Sequence, residues 1–188
     1  MTTARTLTIG GRSYPVLFPS WRDPRLLVSA VVVSVLVIGV TTLDFAVSVP
    51  QILSALLTGF LIDAVWTARH SGNLAWPASG MNTATGIALI LRVVGTEPGD
   101  YWSWHGWYFY VLVVAVALLT KYTIRYRGAH VFNPSNVALV LFFVIVGSGR
   151  IEPLELWWGP FGVRMAIVYG IILIGGTLAL YPMRLLAM

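Results

Sequence analysis

The fold class this sequence predicts is an all-α, polytopic integral membrane helical bundle, and three observations predict it. Only 10% of the 188 residues are charged while 57% are hydrophobic, against about 25% and 45–50% in soluble domains. The apolar residues gather into six runs, four of them near the ~20 residues that span a hydrocarbon layer. The basic residues collect between alternate runs, which is how a membrane protein encodes its orientation.

Residues 1–25 form an N-terminal extension. Basic residues are scattered through it and no small-residue cleavage site precedes the first apolar run, so it is not a signal peptide. Residues 6–9 and 13–18 alternate around Gly10-Gly11, a hairpin signal. Residues 26–188 form the transmembrane domain, with about six spans expected at 26–43, 49–68, 77–91, 105–120, 134–147 and 164–181. The runs 77–91 and 134–147 are short. Each begins at a proline, whose missing N–H is no loss in the first turn of a helix, and both are expected to be half-helices.

With six crossings, Arg5, Arg12, Arg22, Arg25, Arg69, Lys121, Arg125, Arg127 and Arg184 share the side of the N-terminus, and only Arg92, Arg150 and Arg164 lie opposite. Basic residues mark the cytoplasmic side, so the N-terminus is expected there. Trp102, Trp104, Trp107, Tyr108 and Tyr110 open the fourth run and Trp157-Trp158 precede the sixth. Aromatic clusters at span ends are interfacial belts.

The chain has no cysteine, which excludes disulfides, thiolate catalysis and cysteine-ligated clusters. Its net charge of +5 is explained by topology signals and implies no nucleic-acid partner. Phosphate-binding loop, dinucleotide fingerprint, nucleophile elbow and zinc-protease helix are all missing. His70, His105 and His130 have no ligand spacing on one helix, so no metal is expected.

Two stretches are polar where lipid would otherwise be expected: Ser71 through Gly86, and Arg127 through Asn136. Both run from glycine through an aromatic and proline to Ser, Asn and aliphatics, a weak internal repeat. Irregular backbone at membrane depth is tolerated inside protein or along a cavity, and paired proline-interrupted segments mark binding sites in helical transporters. Close helix packing by small residues explains the first stretch equally well. Asp63 is the acid well inside a run, a position costly enough to point to ion or proton coupling. Pairing with Arg69 at the interface is the structural alternative.

The ordered motifs Gln51-Ile52-Leu53, Thr83-Ala84-Thr85-Gly86-Ile87-Ala88-Leu89, Thr120-Lys121 and Phe132-Asn133-Pro134-Ser135 resemble the first half of a membrane family. That family contains the D subunit of the Rnf electron-transport complex and the B subunit of the sodium-translocating NADH:quinone reductase. Trp21-Arg22-Asp23-Pro24, Arg125-Tyr126-Arg127-Gly128 and His130 through Asn136 are similar to actinobacterial members associated with enediyne biosynthesis. The resemblance implies ten helices in two inverted repeats, of which this chain shows six, and a bacterial inner (plasma) membrane setting. It also implies flavin cofactors that pass electrons coupled to ion movement.

Carried over, the resemblance implies a non-covalent flavin, riboflavin or flavin mononucleotide, held by Gly128, His130, Phe132 and Asn133 against Ser79, Asn82, Thr83 and Thr85. Asn133 matches one family asparagine and His130 stands where another would be. A helix start capped by Asn133 ahead of Pro134 is the structural alternative. The family's covalent Ser-Gly-Ala-Thr site is missing after the fifth run, and Ser79-Gly80-Met81-Asn82-Thr83 lies in the wrong segment. Covalent flavin is therefore not expected.

The functional expectation is a membrane subunit of an Rnf-like electron-transport assembly, at most a redox subunit of a larger oxidoreductase. The alternatives are a small-solute or ion transporter built on the two half-helices and Asp63, or a scaffold for a biosynthetic or export pathway of the enediyne type. Expected partners are the lipid bilayer and other membrane subunits or a second copy.

Overall fold

Capping side chains and prolines decide where the helices begin. The computed structural model describes residues 2–20, 23–127, 129–154 and 162–181; among these the chain is mostly helical, with six helices. Helix α1 (Pro24–Thr42) starts behind Asp23, whose carboxylate accepts from the Arg25 N–H at 3.0 Å. Helix α2 (Val49–Ser71) starts with a reciprocal capping box between Ser48 and Gln51. Helix α3 (Ala78–Ile90) follows Pro77 and has no side-chain cap from its own N-cap residue. Helix α4 (Trp107–Thr123) follows Gly106, α5 (Pro134–Val146) is capped by Asn133, and α6 (Val163–Leu180) closes the described chain.

The structure departs from an all-helical bundle in its short strands. β1 (Thr2–Ile9) and β2 (Arg12–Phe18) form the expected antiparallel hairpin. Gly10 and Gly11 both take positive φ, +57° and +78°, the backbone of a two-residue turn that matches strand twist. β3 (Leu74–Ala75) adds in parallel to β2, with Val16 beside Leu74 and Leu17 beside Ala75. The N-terminal extension is thereby fastened to the α2–α3 connection. β4 (Leu91–Val93) continues α3, β5 (Arg125–Tyr126) pairs with β6 (Ala129–His130), and β7 (Ile151–Pro153) pairs with β4.

The β4–β7 ladder has a physical cause. α3 and α5 are 13 residues each, about 20 Å of helix, so the chain beyond them continues in non-helical form. Leu91, Val93 and Ile151 are buried there, and buried backbone groups must find partners. Pairing the two continuations with each other meets that need.

Successive helices run in opposite directions. One end of the bundle gathers the starts of α1, α3 and α5 with the ends of α2 and α4: Asn82 Nδ2 donates to the Arg25 carbonyl, and Lys121 Nζ to Ser79 Oγ. At the other end, Gln51 Nε2 donates to Thr96 Oγ1 at 2.8 Å and the His105 carbonyl at 2.7 Å. The core between them holds Leu36, Ala55, Ile87, Ala88, Val113, Val114, Leu118 and Leu139. Tyr110, expected in an aromatic belt, is fully buried and donates to the Leu91 carbonyl at 2.7 Å. Trp102, Trp104, Trp107 and Tyr108 are exposed. Trp157 and Trp158 lie outside the described residues.

Gly59 on α2 meets Gly80 on α3: a methyl group on Gly59 would sit 2.7 Å from the Gly80 carbonyl oxygen and 2.8 Å from Ala84 Cβ. Gly59→Ala should therefore destabilise the protein by about 1–3 kcal/mol, whereas Gly176→Ala, with open space around it, should be neutral or stabilising by up to ~1 kcal/mol. Equal unfolding midpoints for the two variants would contradict this packing. At the start of α1, the hydrogen bond from the Arg25 side chain holds the Asp23 carboxyl below its usual range. A lowered carboxyl pKa stabilises above the unfolded value and loses that effect as pH falls through the folded one. Asp23→Ala should cost about 0.5–2 kcal/mol at neutral pH, and a pH series of unfolding midpoints should show the difference closing in acid.

Candidate functional site

The polar end of the bundle holds a cavity of about 230 Å³ lined by Ser79, Asn82, Thr83, Lys121, His130, Asn133, Pro134 and Ser135. Three local structures deliver these groups. Ser79, Asn82 and Thr83 lie in the first two turns of α3, Lys121 in the last turn of α4, and His130 with Asn133 in the turn that opens α5. Antiparallel helix directions place two helix starts and one helix end at a single level.

Much of the polar lining is already bonded. Asn82 Oδ1 accepts from the Ser29 hydroxyl, and Asn82 Nδ2 donates to the Arg25 carbonyl at 3.3 Å. The Thr83 hydroxyl donates to the Ser79 carbonyl at 3.1 Å, and the Ser135 hydroxyl to the Thr83 carbonyl at 3.4 Å. Asn133 Oδ1 accepts from the Ser135 N–H at 3.1 Å and the Asn136 N–H at 3.5 Å. The Ser135 and Asn136 N–H groups at the start of α5 are thus taken up by the cap.

Asp63 does the same for α3 from a neighbouring helix. It is buried in α2, and its Oδ2 accepts from the Gly80 N–H at 2.8 Å, supplying the cap that Pro77 lacks. Its Oδ1 accepts from the Tyr122 hydroxyl. Lys121 Nζ stands 4.0 Å from Oδ1 and 2.7 Å from Ser79 Oγ. Asp63 therefore faces α3 and α4. Trp66 stacks on Tyr122 at 4.4 Å and on His70 at 3.9 Å, closing the outer side of this cluster.

Of the residues singled out from sequence, Ser79, Asn82, Thr83, His130 and Asn133 come together around the cavity. Thr85 is 1% exposed, donates to the Asn82 carbonyl at 3.1 Å and faces the core. Phe132 is 58% exposed and does not line the cavity. Gly128 lies outside the described residues. Among the described residues no three His, Asp or Glu side chains gather as metal ligands.

Lys121 is the residue that sequence reading undervalued. It reads as a loop cation setting topology, yet its side chain is only 13% exposed and it forms the inner wall of the cavity. The available signal was its place in the last turn of an apolar helix, with the acid of a neighbouring run to meet.

No family model, curated protein or solved structure matches this chain.

Removing Asp63 leaves the Gly80 N–H, the Tyr122 hydroxyl and the Lys121 charge without their acceptor. Asp63→Ala should cost about 3–5 kcal/mol, the range for breaking a buried charge pair. Asp63→Asn keeps an acceptor for Gly80 and should cost distinctly less. Denaturant unfolding of the two variants ranks them, and equal losses would show that Asp63 does not act as the cap of α3.

Proposed function

We propose that this chain is a polytopic membrane protein whose α3–α4–α5 cavity binds a flavin, as a subunit of an Rnf-like electron-transport assembly. The observation that carries the reading is convergence: Ser79, Asn82 and Thr83 from one segment and His130 and Asn133 from another, some fifty positions on, line one cavity.

The membrane setting rests on the outer surface. In α1 and α2, the two long apolar helices, only 17% and 28% of the apolar window is buried, the reverse of a core helix in a soluble protein. Leu53, Leu57, Leu61 and Val65, each about half exposed, form one stripe along α2, and Val140, Val144 and Ile145 form another on α5. Water-exposed patches rarely exceed a few hundred Å² of contiguous apolar surface; a lipid contact accounts for both stripes. Alternating helix directions and the basic residues at the cavity end support six crossings with that end in the cytoplasm.

The donor set fits one polar end of a flavin. Lys121, Ser79, Asn133 and His130 present polar groups to the cavity, but its 230 Å³ is below the ~300–1,000 Å³ of pockets that enclose a whole ligand. A bound flavin would supply one- and two-electron transfer. The protein's part would be orientation by Asn133 and charge placement by Lys121.

A transporter reading draws on Asp63, the buried acid. Its two carboxylate oxygens are engaged by Gly80 and Tyr122, which favours a structural role for it.

The test is the visible spectrum of the purified protein, followed by acid precipitation: flavin absorbance with release of the colour supports the reading, and a colourless, folded protein rejects it. Asn133→Asp keeps the capping oxygen that α5 needs while removing the amide donor. Flavin content should fall in this variant with the unfolding midpoint unchanged.

A further inference from the structure

The cavity keeps a set of uncommitted donors. Asn133 Oδ1 accepts from two backbone N–H groups, Asn82 Oδ1 from Ser29 and Ser79 Oγ from Lys121, while the Thr83 and Ser135 hydroxyls spend their protons on carbonyls and keep acceptor lone pairs. An ammonium has three N–H bonds, and Lys121 uses one at short range, on the neutral Ser79 oxygen. The Ser79 hydroxyl proton, the Asn133 amide N–H pair and the His130 ring have no partner among the described residues.

Charge points the same way. The counter-charge of Lys121 is Asp63, at 4.0 Å, and that carboxylate is already held by the Gly80 N–H and the Tyr122 hydroxyl. The short contact of the ammonium is with Ser79 on the cavity wall. The pyrimidine edge of a flavin ring is neutral and offers the Lys121 ammonium no counter-charge. A phosphate offers acceptors alone, and hydrogen bonds from a cation to it are among the strong ones. The cavity volume suits such a group better than a three-ring system.

We propose that the cavity is a phosphate site, with Lys121, Ser79 and Asn133 as its donors, and that the flavin it takes is the mononucleotide, held by its phosphate, and not riboflavin. The identity of the flavin rests on the function proposed above; the phosphate site itself does not.

The experiment titrates the full-length purified protein, in phosphate-free buffer and a phosphate-free detergent, with three probes: flavin mononucleotide and riboflavin by fluorescence quenching, and inorganic phosphate by phosphorus NMR line broadening. The mononucleotide should bind about ten- to a hundredfold tighter than riboflavin, the worth of one charged hydrogen bond, and inorganic phosphate should compete with it. Lys121→Gln should abolish that preference, while Lys121→Arg should retain it. Ser79→Ala, which leaves the Lys121–Asp63 pair in place, should weaken mononucleotide and phosphate binding together, so the test stands if Lys121→Gln fails to fold. Saturable, Lys121-dependent phosphate binding without flavin binding would sustain the phosphate site and reject the flavin reading. Phosphorus analysis of the purified protein separates a retained phospholipid headgroup from free phosphate as occupant. Equal affinities for the two flavins, or phosphate broadening unchanged in Ser79→Ala, would overturn the proposal.

Discussion

The contact between Gly59 and Gly80 is the constraint on which the rest of the polar end depends. Without side chains at these two positions α2 and α3 approach backbone to backbone, and only at that separation does Asp63, one turn beyond Gly59, reach the Gly80 N–H. That bond gives α3 the cap its own sequence denies it, because Pro77 has no side-chain acceptor to offer. It also fixes Ser79, one residue earlier, against Lys121. The close approach, the cap and the cavity wall are three consequences of two missing Cβ atoms.

The opposite end is organised by a different economy. Gln51 is fully buried, yet both its amide groups are bonded: the oxygen to the Ser48 N–H, the nitrogen to Thr96 and the His105 carbonyl. Tyr110 closes the Leu91 carbonyl where α3 gives way to β4. Such groups cost little when satisfied and a great deal when not, so Gln51 ties the connection 94–106 to α2 and Tyr110 ties the end of α3 to α4. One end of the bundle is locked by neutral hydrogen bonds. The other keeps a charge and a cavity.

Helix positions were legible from sequence because apolar runs, prolines and caps are local. Pro77 and Pro134 open the two short runs without tertiary information, and Gly10-Gly11 marks the hairpin. The strands β4 and β7 were not legible, since each is three residues long and exists only because the other is there to pair with. Tyr110 was misplaced for a related reason: an aromatic at a span end is a belt residue or a core residue according to which way its helix face turns. Of the site, the α3 and α5 segments were visible through their prolines and small polar residues. Lys121 was not, because its role depends on an antiparallel neighbour that brings Ser79 and Asp63 to the level of its side chain.

The caps decide what kind of ligand the cavity is able to hold. Two helix starts converging on one cavity ordinarily offer backbone N–H groups to an anion, but here Asn133 takes two of those of α5 and Asp63 takes the Gly80 N–H of α3. What remains is mainly side-chain chemistry, one ammonium with neutral hydroxyl and amide groups. Asp63 holds the Gly80 N–H and the Tyr122 hydroxyl with one oxygen each, while Lys121 stands 4.0 Å from it and makes its short contact with Ser79. The same carboxylate that stabilises α3 thus keeps the cation of the cavity in place and available, which makes the cap a precondition for the site.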